Sequence, residues 1–363
     1  MKLNKTTHPQ IPVISFMVGV LLIGCAAHTS PALLPTTVIP TAEPTTSATP
    51  TLASAPTASP ASHPTHTPAS SERTPEARLA SYGVVYAYPK SNWSEADRQD
   101  IQEHLEYLKG LGIHTIVQVF SSRLIGTGRE ENWLILLDEA ERVNMHVIAR
   151  LWPLEDWNGQ EFDFQPIDSF LAVVQDHPAL LAYLGLHEPL EVFDSDQLRD
   201  FYLGVKSLAP ELPIAHLLGN MAWFERSLRF PNRDFTVGIC DICIVWYTPA
   251  RYLDGEPAFE GDMFQEIVHE NRELVEERAP DAQLWVMGQT YTQLQHRHQL
   301  RMPTPEEMEL MYIIAEQERV DGFLWYPWLH SSYDQVLSDP DMEPQRQAVR
   351  HIYESYILEK PSP

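Results

Sequence analysis

From Tyr82 onward, short apolar runs alternate with amphipathic stretches. The runs are Tyr82 to Tyr88, Ile113 to Phe120, His146 to Trp152, Leu180 to His187, Pro213 to Gly219, Ile242 to Tyr247, Gln283 to Gln289 and Gly322 to Trp328. Spaced by about 25 to 40 residues, they have the length and apolar character of strands buried on both faces. Helical spacing separates them. Ile101, Leu105 and Leu108 precede the second run; Leu198, Phe201, Tyr202 and Val205 follow the fourth; Met308, Met311, Tyr312 and Ala315 precede the eighth. That last helix has a full start signal, with Thr304 as N-cap, Pro305 at the first helical position and Glu307 closing a capping box. Eight β/α units in about 280 residues predict a (β/α)8 TIM barrel, an α/β fold. The weakest unit is the fifth, where Asn220 to Phe235 carries no clean helical pattern. A doubly wound open sheet is the competing arrangement. It would bring a Gly-rich phosphate loop after the first strand, where this chain has Tyr86-Ala87-Tyr88-Pro89.

The fourth run bears no charge from Ala179 to Leu186 and then stops at His187-Glu188-Pro189. Proline cannot donate to a ladder, so the strand ends there and Glu188 stands at its carboxyl end. In a parallel barrel that end carries the chemistry. The first residues after each strand share one mouth. Those positions offer Tyr88, Trp152, Asp156 and Trp157, His187 and Glu188, Asn220, Tyr247, Gln289 and Tyr291, then Trp325, Tyr326, Trp328 and His330. Aromatic faces stack on the C–H face of sugar rings while carboxylates and amides bond hydroxyls, so this lining suits a neutral carbohydrate.

The N-terminal quarter is built differently. Lys2 and Lys5 precede an apolar segment from Ile11 to Ile23, which reads as an export signal. It ends in Leu22-Ile23-Gly24-Cys25, which resembles the lipobox of bacterial lipoproteins. The resemblance implies lipidation at Cys25, hence residues 1–25 as signal peptide and a membrane-anchored protein on the extracytoplasmic cell surface. Residues 26–77 form a Thr/Ser/Pro/Ala-rich linker with ten of the chain's thirty prolines, expected to be a disordered stalk. All nine tryptophans lie between Trp93 and Trp328, so the globular domain spans 78–358, with 359–363 as a tail.

Only Lys2, Lys5, Arg73, Glu43 and Glu72 precede Pro75, so the formal charge of −25 belongs almost wholly to the globular part. Such a surface repels nucleic acid and leaves neutral ligands as natural partners. Cys240 and Cys243 have the spacing of a metal or redox pair. On a strand, residues three apart point to opposite faces, so they read as small buried hydrophobes. His296 and His298 lack a strong third ligand and read as a polar loop. No metal or cofactor is expected, and the chain is taken as a monomer. There is no Gly-x-Ser-x-Gly and no Walker loop.

The His187-Glu188-Pro189 strand ending resembles the Asn-Glu-Pro or Asp-Glu-Pro signature of clan A glycoside hydrolases. Leu284-Trp285-Val286-Met287-Gly288-Gln289, Arg301-Met302-Pro303-Thr304-Pro305-Glu306-Glu307-Met308 and Gly322-Phe323-Leu324-Trp325-Tyr326-Pro327-Trp328 look like the seventh strand, helix and eighth strand of bacterial barrel proteins assigned to that superfamily. The resemblance implies glycosidase ancestry with Glu188 as general acid/base. His187 replaces the signature's amide or acid, and Gln289 stands where those enzymes carry a nucleophilic glutamate. A hydrolase would therefore need a second carboxylate from Asp156, Asp163, Glu191 or Asp334, or assistance from the substrate itself. The alternative is a non-catalytic glycan-binding barrel.

Overall fold

The computed structural model describes residues 81–86, 93–119, 130–151, 162–227, 235, 238–295, 299–330 and 332–358. The expected signal segment, linker and tail lie outside the described residues, as do Cys25, Tyr88, Trp152, Asp156, Trp157, His296 and His298.

Eight parallel strands close into a barrel: β1 (Ser81–Tyr86), β2 (Thr115–Gln118), β3 (His146–Arg150), β4 (Leu180–His187), β5 (Ile214–Leu217), β6 (Ile242–Trp246), β7 (Gln283–Gln289) and β8 (Gly322–Leu329). Each pairs with its neighbours in sequence, and β1 pairs with both β2 and β8. One helix follows each strand: α1 (Arg98–Gly110), α2 (Asn132–Arg142), α3 (Gln165–Val174), α4 (Ser195–Leu208), α5 (Met221–Arg226), α6 (Gly261–Arg278), α7 (Pro305–Gln317) and α8 (Glu343–Ile352). This is the (β/α)8 barrel that the alternation predicts. The weak fifth unit does hold a helix, of six residues, too short for a readable period.

The alternation of side chains along each strand produces two apolar layers. Val85, Val117, Ile148, Leu184, Leu217, Ile244, Met287 and Leu324 fill the barrel interior. Their sequence neighbours, such as Ile116, Val147, Tyr183, Val245 and Phe323, pack against Leu105, Leu108, Trp133, Phe170, Phe201 and Tyr312 of the helices. Truncating one of these buried leucines to alanine would cost about 2–5 kcal/mol. Gly322 shows how tight the interior is. It lies beside Trp285, and a Cβ there would come within 2.5 Å of the indole. At this same amino-terminal end of the strands, two acids tie neighbouring strands together. Asp241 accepts from Ile214 N (2.8 Å), Tyr202 Oη (2.8 Å) and Lys206 Nζ (3.2 Å), and Asp321 from Leu284 N (2.9 Å) and Arg272 Nη1 (3.2 Å).

The cysteine expectation is corrected: Cys240 and Cys243 form a disulfide. Cys240 lies ahead of β6, where the chain still bends, so the two-residue alternation does not separate the sulfurs.

Two features not expected from the sequence stand at the mouth end. Ala250–Leu253 and Glu256–Phe259, between β6 and α6, pair as an antiparallel hairpin. Its tip, Asp254-Gly255, has φ of 53° and 88°, the left-handed pair of a tight two-residue turn. Tyr291–Thr292, just past β7, pairs antiparallel with Gln335–Val336 past β8.

Candidate active site

Glu188 N–H donates to Leu217 O at 2.7 Å, the last bond from β4 to β5. Pro189 then has no N–H to continue the ladder, and Pro189–Glu191 closes a tight turn. Between them Glu188 adopts φ 52°, ψ 44°, a left-handed conformation that costs a non-glycine residue about 1–2 kcal/mol. Its carboxyl makes no hydrogen bond or ion pair among the described residues. Burial, and after it the neighbouring Glu191 carboxylate, push its pKa up to about 8. A carboxylic acid that keeps its proton at neutral pH therefore sits at the mouth of the barrel.

Three tyrosines stand within electrostatic reach of it: Tyr291, Tyr326 and Tyr333. Tyr326 is at an inward position of β8 and shares a 3.0 Å hydrogen bond with the Tyr333 hydroxyl. Tyr291 stacks on Tyr333 (centroids 4.2 Å apart, 31° between planes) and meets Tyr326 edge-on (5.7 Å, 85°). The Tyr291–Val336 pairing brings the loop after β8 to this side. Burial drives the phenols up, Tyr333 to about 12 and the other two well above the ordinary range, so all three stay protonated. His330 lies 4.3 Å from the Tyr333 ring, and burial lowers it to about 4, leaving a neutral imidazole. The cluster thus offers one proton-bearing acid, neutral hydroxyls and flat rings.

A second group lies beside Tyr291. Tyr247, directly after β6, donates its hydroxyl to Glu260 Oε2 at 2.7 Å, and Arg251 Nε pairs with the same oxygen at 2.8 Å. The Arg251 guanidinium lies over the Tyr247 ring at 5.2 Å and is within electrostatic reach of Tyr291. On the β3 side, Arg150 is buried at the strand end and donates from Nη1 to Val119 O at 2.7 Å.

Several sequence-predicted site residues are corrected. Trp325 does not face the mouth: alternation puts Leu324 and Tyr326 inside and Trp325 outside. There its Nε1 donates to Tyr82 Oη (2.7 Å), which donates to Val349 O of α8 (2.9 Å). Trp328 is buried against Tyr107 of α1 (5.6 Å). Gln289 is 1% exposed, and its amide serves the backbone around it. Oε1 accepts from Ala250 N (3.0 Å), while Nε2 lies in donor range of Ala250 O (3.1 Å), Tyr291 O (3.2 Å) and Arg301 O (2.9 Å). Asn220 caps α5, its Oδ1 accepting from Trp223 N and Asn271 Nδ2, each at 3.1 Å. Asp163 accepts from Gln165 N (3.0 Å) ahead of α3, and Asp334 from Leu294 N (2.7 Å), both on exposed turns. Of the expected carboxylates, Glu191 is the described one that interacts with Glu188. His187 closes β4, and its side chain lies outside the described set. Tyr291, Tyr326 and Tyr247 do stand at the mouth. Sequence reasoning missed Tyr333, Arg150, Arg251 and Glu260. The hairpin carrying Arg251 was signalled by Asp254-Gly255; Tyr333 sits in a loop without period.

No family model matches the sequence, and no curated protein sequence matches it. Solved structures do match in fold. A GH5_18 protein from Bifidobacterium longum subsp. longum is similar with a TM-score of 0.59 at 12% identity, covering 79% of this chain and 81% of that one. A β-1,4-D-mannanase from Cryptopygus antarcticus follows at 0.53 and 11%, covering 76% and 90%. The GH99 endo-α-mannosidase from Bacteroides thetaiotaomicron stands at 0.52 and 10%, covering 78% and 85%. These likenesses, with the closed parallel barrel, show that the chain shares the (β/α)8 fold of these solved glycoside hydrolases.

Proposed function

We propose that this chain is a surface-anchored glycoside-hydrolase-like protein whose barrel binds a neutral carbohydrate and hydrolyses a glycosidic bond, with Glu188 as general acid. The observation that carries the reading is Glu188 itself: a strained backbone at the carboxyl end of a barrel strand, bearing a carboxyl that burial holds protonated to about pH 8. A glycosidic oxygen is a poor leaving group until it is protonated as its bond to the anomeric carbon breaks, and Glu188 supplies that proton. Neutral phenols around it favour hydroxyl-rich over charged ligands. The test is turnover of a glycan and aryl-glycoside panel by the purified domain, alongside Glu188→Gln. General acid loss should cost about 10²–10⁴-fold on substrates with poor leaving groups; an unchanged rate would remove the assignment.

The anchor belongs to the same reading. The lipobox at Cys25 supports export and lipidation, and the Cys240–Cys243 disulfide suits an oxidising compartment outside the cytoplasm. A Cys25→Ala form that still partitions with membranes after export would refute lipid anchoring.

A second reading, a non-catalytic glycan-binding barrel, is favoured by the amide at position 289. It expects calorimetric binding of a glycan that survives Glu188→Gln, with no cleavage under any condition.

A further inference from the structure

Trp246, the last residue of β6, differs from the other described tryptophans in having no partner. Trp93 and Trp133 pack on each other, Trp223 on Phe224, Trp325 on Phe323 and Trp328 on Tyr107, while Trp285 donates its indole N–H to Gln283. The Trp246 ring meets no other ring among the described residues, and its Nε1, closed to bulk water, has no hydrogen-bond partner. A buried donor left unpaired is costly, and native structures keep one where a water or a ligand pairs it.

The barrel fixes where this side chain stands. Ile242 and Ile244 point inward on β6, so Trp246 does too. With Tyr326 of β8 it forms the partly open aromatic cover on the carboxyl end of the interior layer. Register puts Trp246 beside Met287 and Met287 beside Leu324. Layers in such a barrel are supplied by alternate strands and climb about one residue per strand, so Trp246 shares its layer with Tyr326, two residues above Leu324. Glu188 is reached in the other direction through two ladder bonds. Its N–H donates to Leu217 O (2.7 Å), and Leu218 N donates to Ile244 O (2.8 Å), two residues before Trp246. Glu188 and Trp246 therefore stand at the same end of the barrel, two strands or about 10 Å apart round the wall. The indole N–H edge lies beside Gly219, which has a left-handed φ of 71°; a Cβ there would be 3.8 Å from Nε1, so no side chain of that residue closes the edge.

We propose that Trp246 is the floor of the sugar site: one pyranose unit lies with its C–H face on the indole, a hydroxyl oxygen accepts from Nε1, and the glycosidic oxygen points toward Glu188. The proposal rests on the carbohydrate reading and assigns its platform. Indole offers a flat apolar face and a donor but no acceptor, which matches a neutral pyranose and disfavours an acyclic ligand.

The experiment titrates cellotetraose, mannotetraose, laminaritetraose and xylotetraose into the purified full chain by calorimetry. Wild type is compared with Glu188→Gln, which prevents cleavage, and with Trp246→Leu and Trp246→Phe added to that variant; thermal melts run beside each. Trp246→Leu fills the floor without a flat face and should weaken binding about 30-fold. Trp246→Phe restores the face without the N–H and should bind within about fivefold of its parent. In proton–nitrogen spectra, the indole resonance missing from Trp246→Phe should shift when the bound tetraose is added, whereas the one missing from Trp325→Phe should stay. Binding by Trp246→Leu within about threefold of its parent, or an unmoved Trp246 resonance, overturns the inference and leaves the carbohydrate reading in place. Should Trp246→Leu melt early, the resonance shift decides alone. If neither wild type nor Glu188→Gln binds any of the four tetraoses, the carbohydrate reading falls and the inference with it.

Discussion

Replacing Gln289 by glutamate puts a carboxyl at the position that the resemblance to clan A enzymes marks for a nucleophile, and the structure predicts that it damages the protein instead of activating it. The amide's two N–H groups face three carbonyl oxygens at 2.9–3.2 Å in a site only 1% exposed. A glutamate keeps one acceptor for Ala250 N but sets its second oxygen against those carbonyls. Each buried partner left unmatched costs about 1–3 kcal/mol, so losing two donors costs about 2–6 kcal/mol.

The loss should depend on pH with a defined sign. Among carbonyls and out of water, the new carboxyl's folded pKa is raised above its unfolded value of about 4.3. Below that value the acid is protonated in both states and can still donate one O–H, so the loss is smallest. As pH rises toward the folded pKa, the unfolded state ionises first and stability falls; the full loss is reached above it. At roughly 2–4 °C per kcal/mol for a domain this size, Gln289→Glu should melt roughly 10 °C below wild type at pH 8 and closer to it at pH 4.5. Calorimetric melts at both pH values measure this, with hydrolysis assayed in parallel. A variant melting within about 2 °C of wild type at pH 8, or turning over faster, would refute the clamp.

Other expectations follow from the same geometry. If Glu188 is the acid, log kcat/KM should fall by one unit per pH unit above about 8, and a profile flat to pH 10 would exclude it. Because its folded pKa is raised, wild type should lose stability relative to Glu188→Gln between about pH 4.5 and 8, and melts across that window check the sign. Trp325→Phe should lower the melting temperature, through lost packing and a lost donor to Tyr82, while leaving kcat/KM within about twofold. A specific activity loss would return Trp325 to the mouth. Reduction of Cys240–Cys243 removes a very short loop closure worth about 2 kcal/mol, seen as a modest drop in melting temperature with dithiothreitol.

The barrel was legible because its physics is periodic. Each of the eight predicted runs overlaps one barrel strand, β1 starting and β8 ending one residue outside its run, and Glu188 was identifiable because an uncharged run followed by proline fixes a strand end without reference to anything distant. Period two alone places Trp325 outside, since Leu324 and Tyr326 occupy the inward positions around it; Trp328 shares their parity yet packs outside, past a shift in the β1–β8 register that no local pattern reveals. Gln289 failed for another reason. Its parity is inward, as Trp285 and Met287 are, but an amide's partners are backbone groups contributed by residues 250 and 301, which no local pattern reveals.

The rest of the site lies in segments without a period. A barrel strand can aim only one or two side chains at the mouth, so additional chemistry must come from the segments that connect strands, and those segments have no period to read. Here Tyr333 is brought to Tyr291 by a two-residue strand pair, and Glu260 is brought beside Arg251 by a hairpin whose local trace was Asp254-Gly255. Strand-borne Glu188 and the hairpin therefore answer to different perturbations. Changes to the barrel core should move both, whereas loosening the Gln289 clamp should release the hairpin and leave Glu188 protonated and in place.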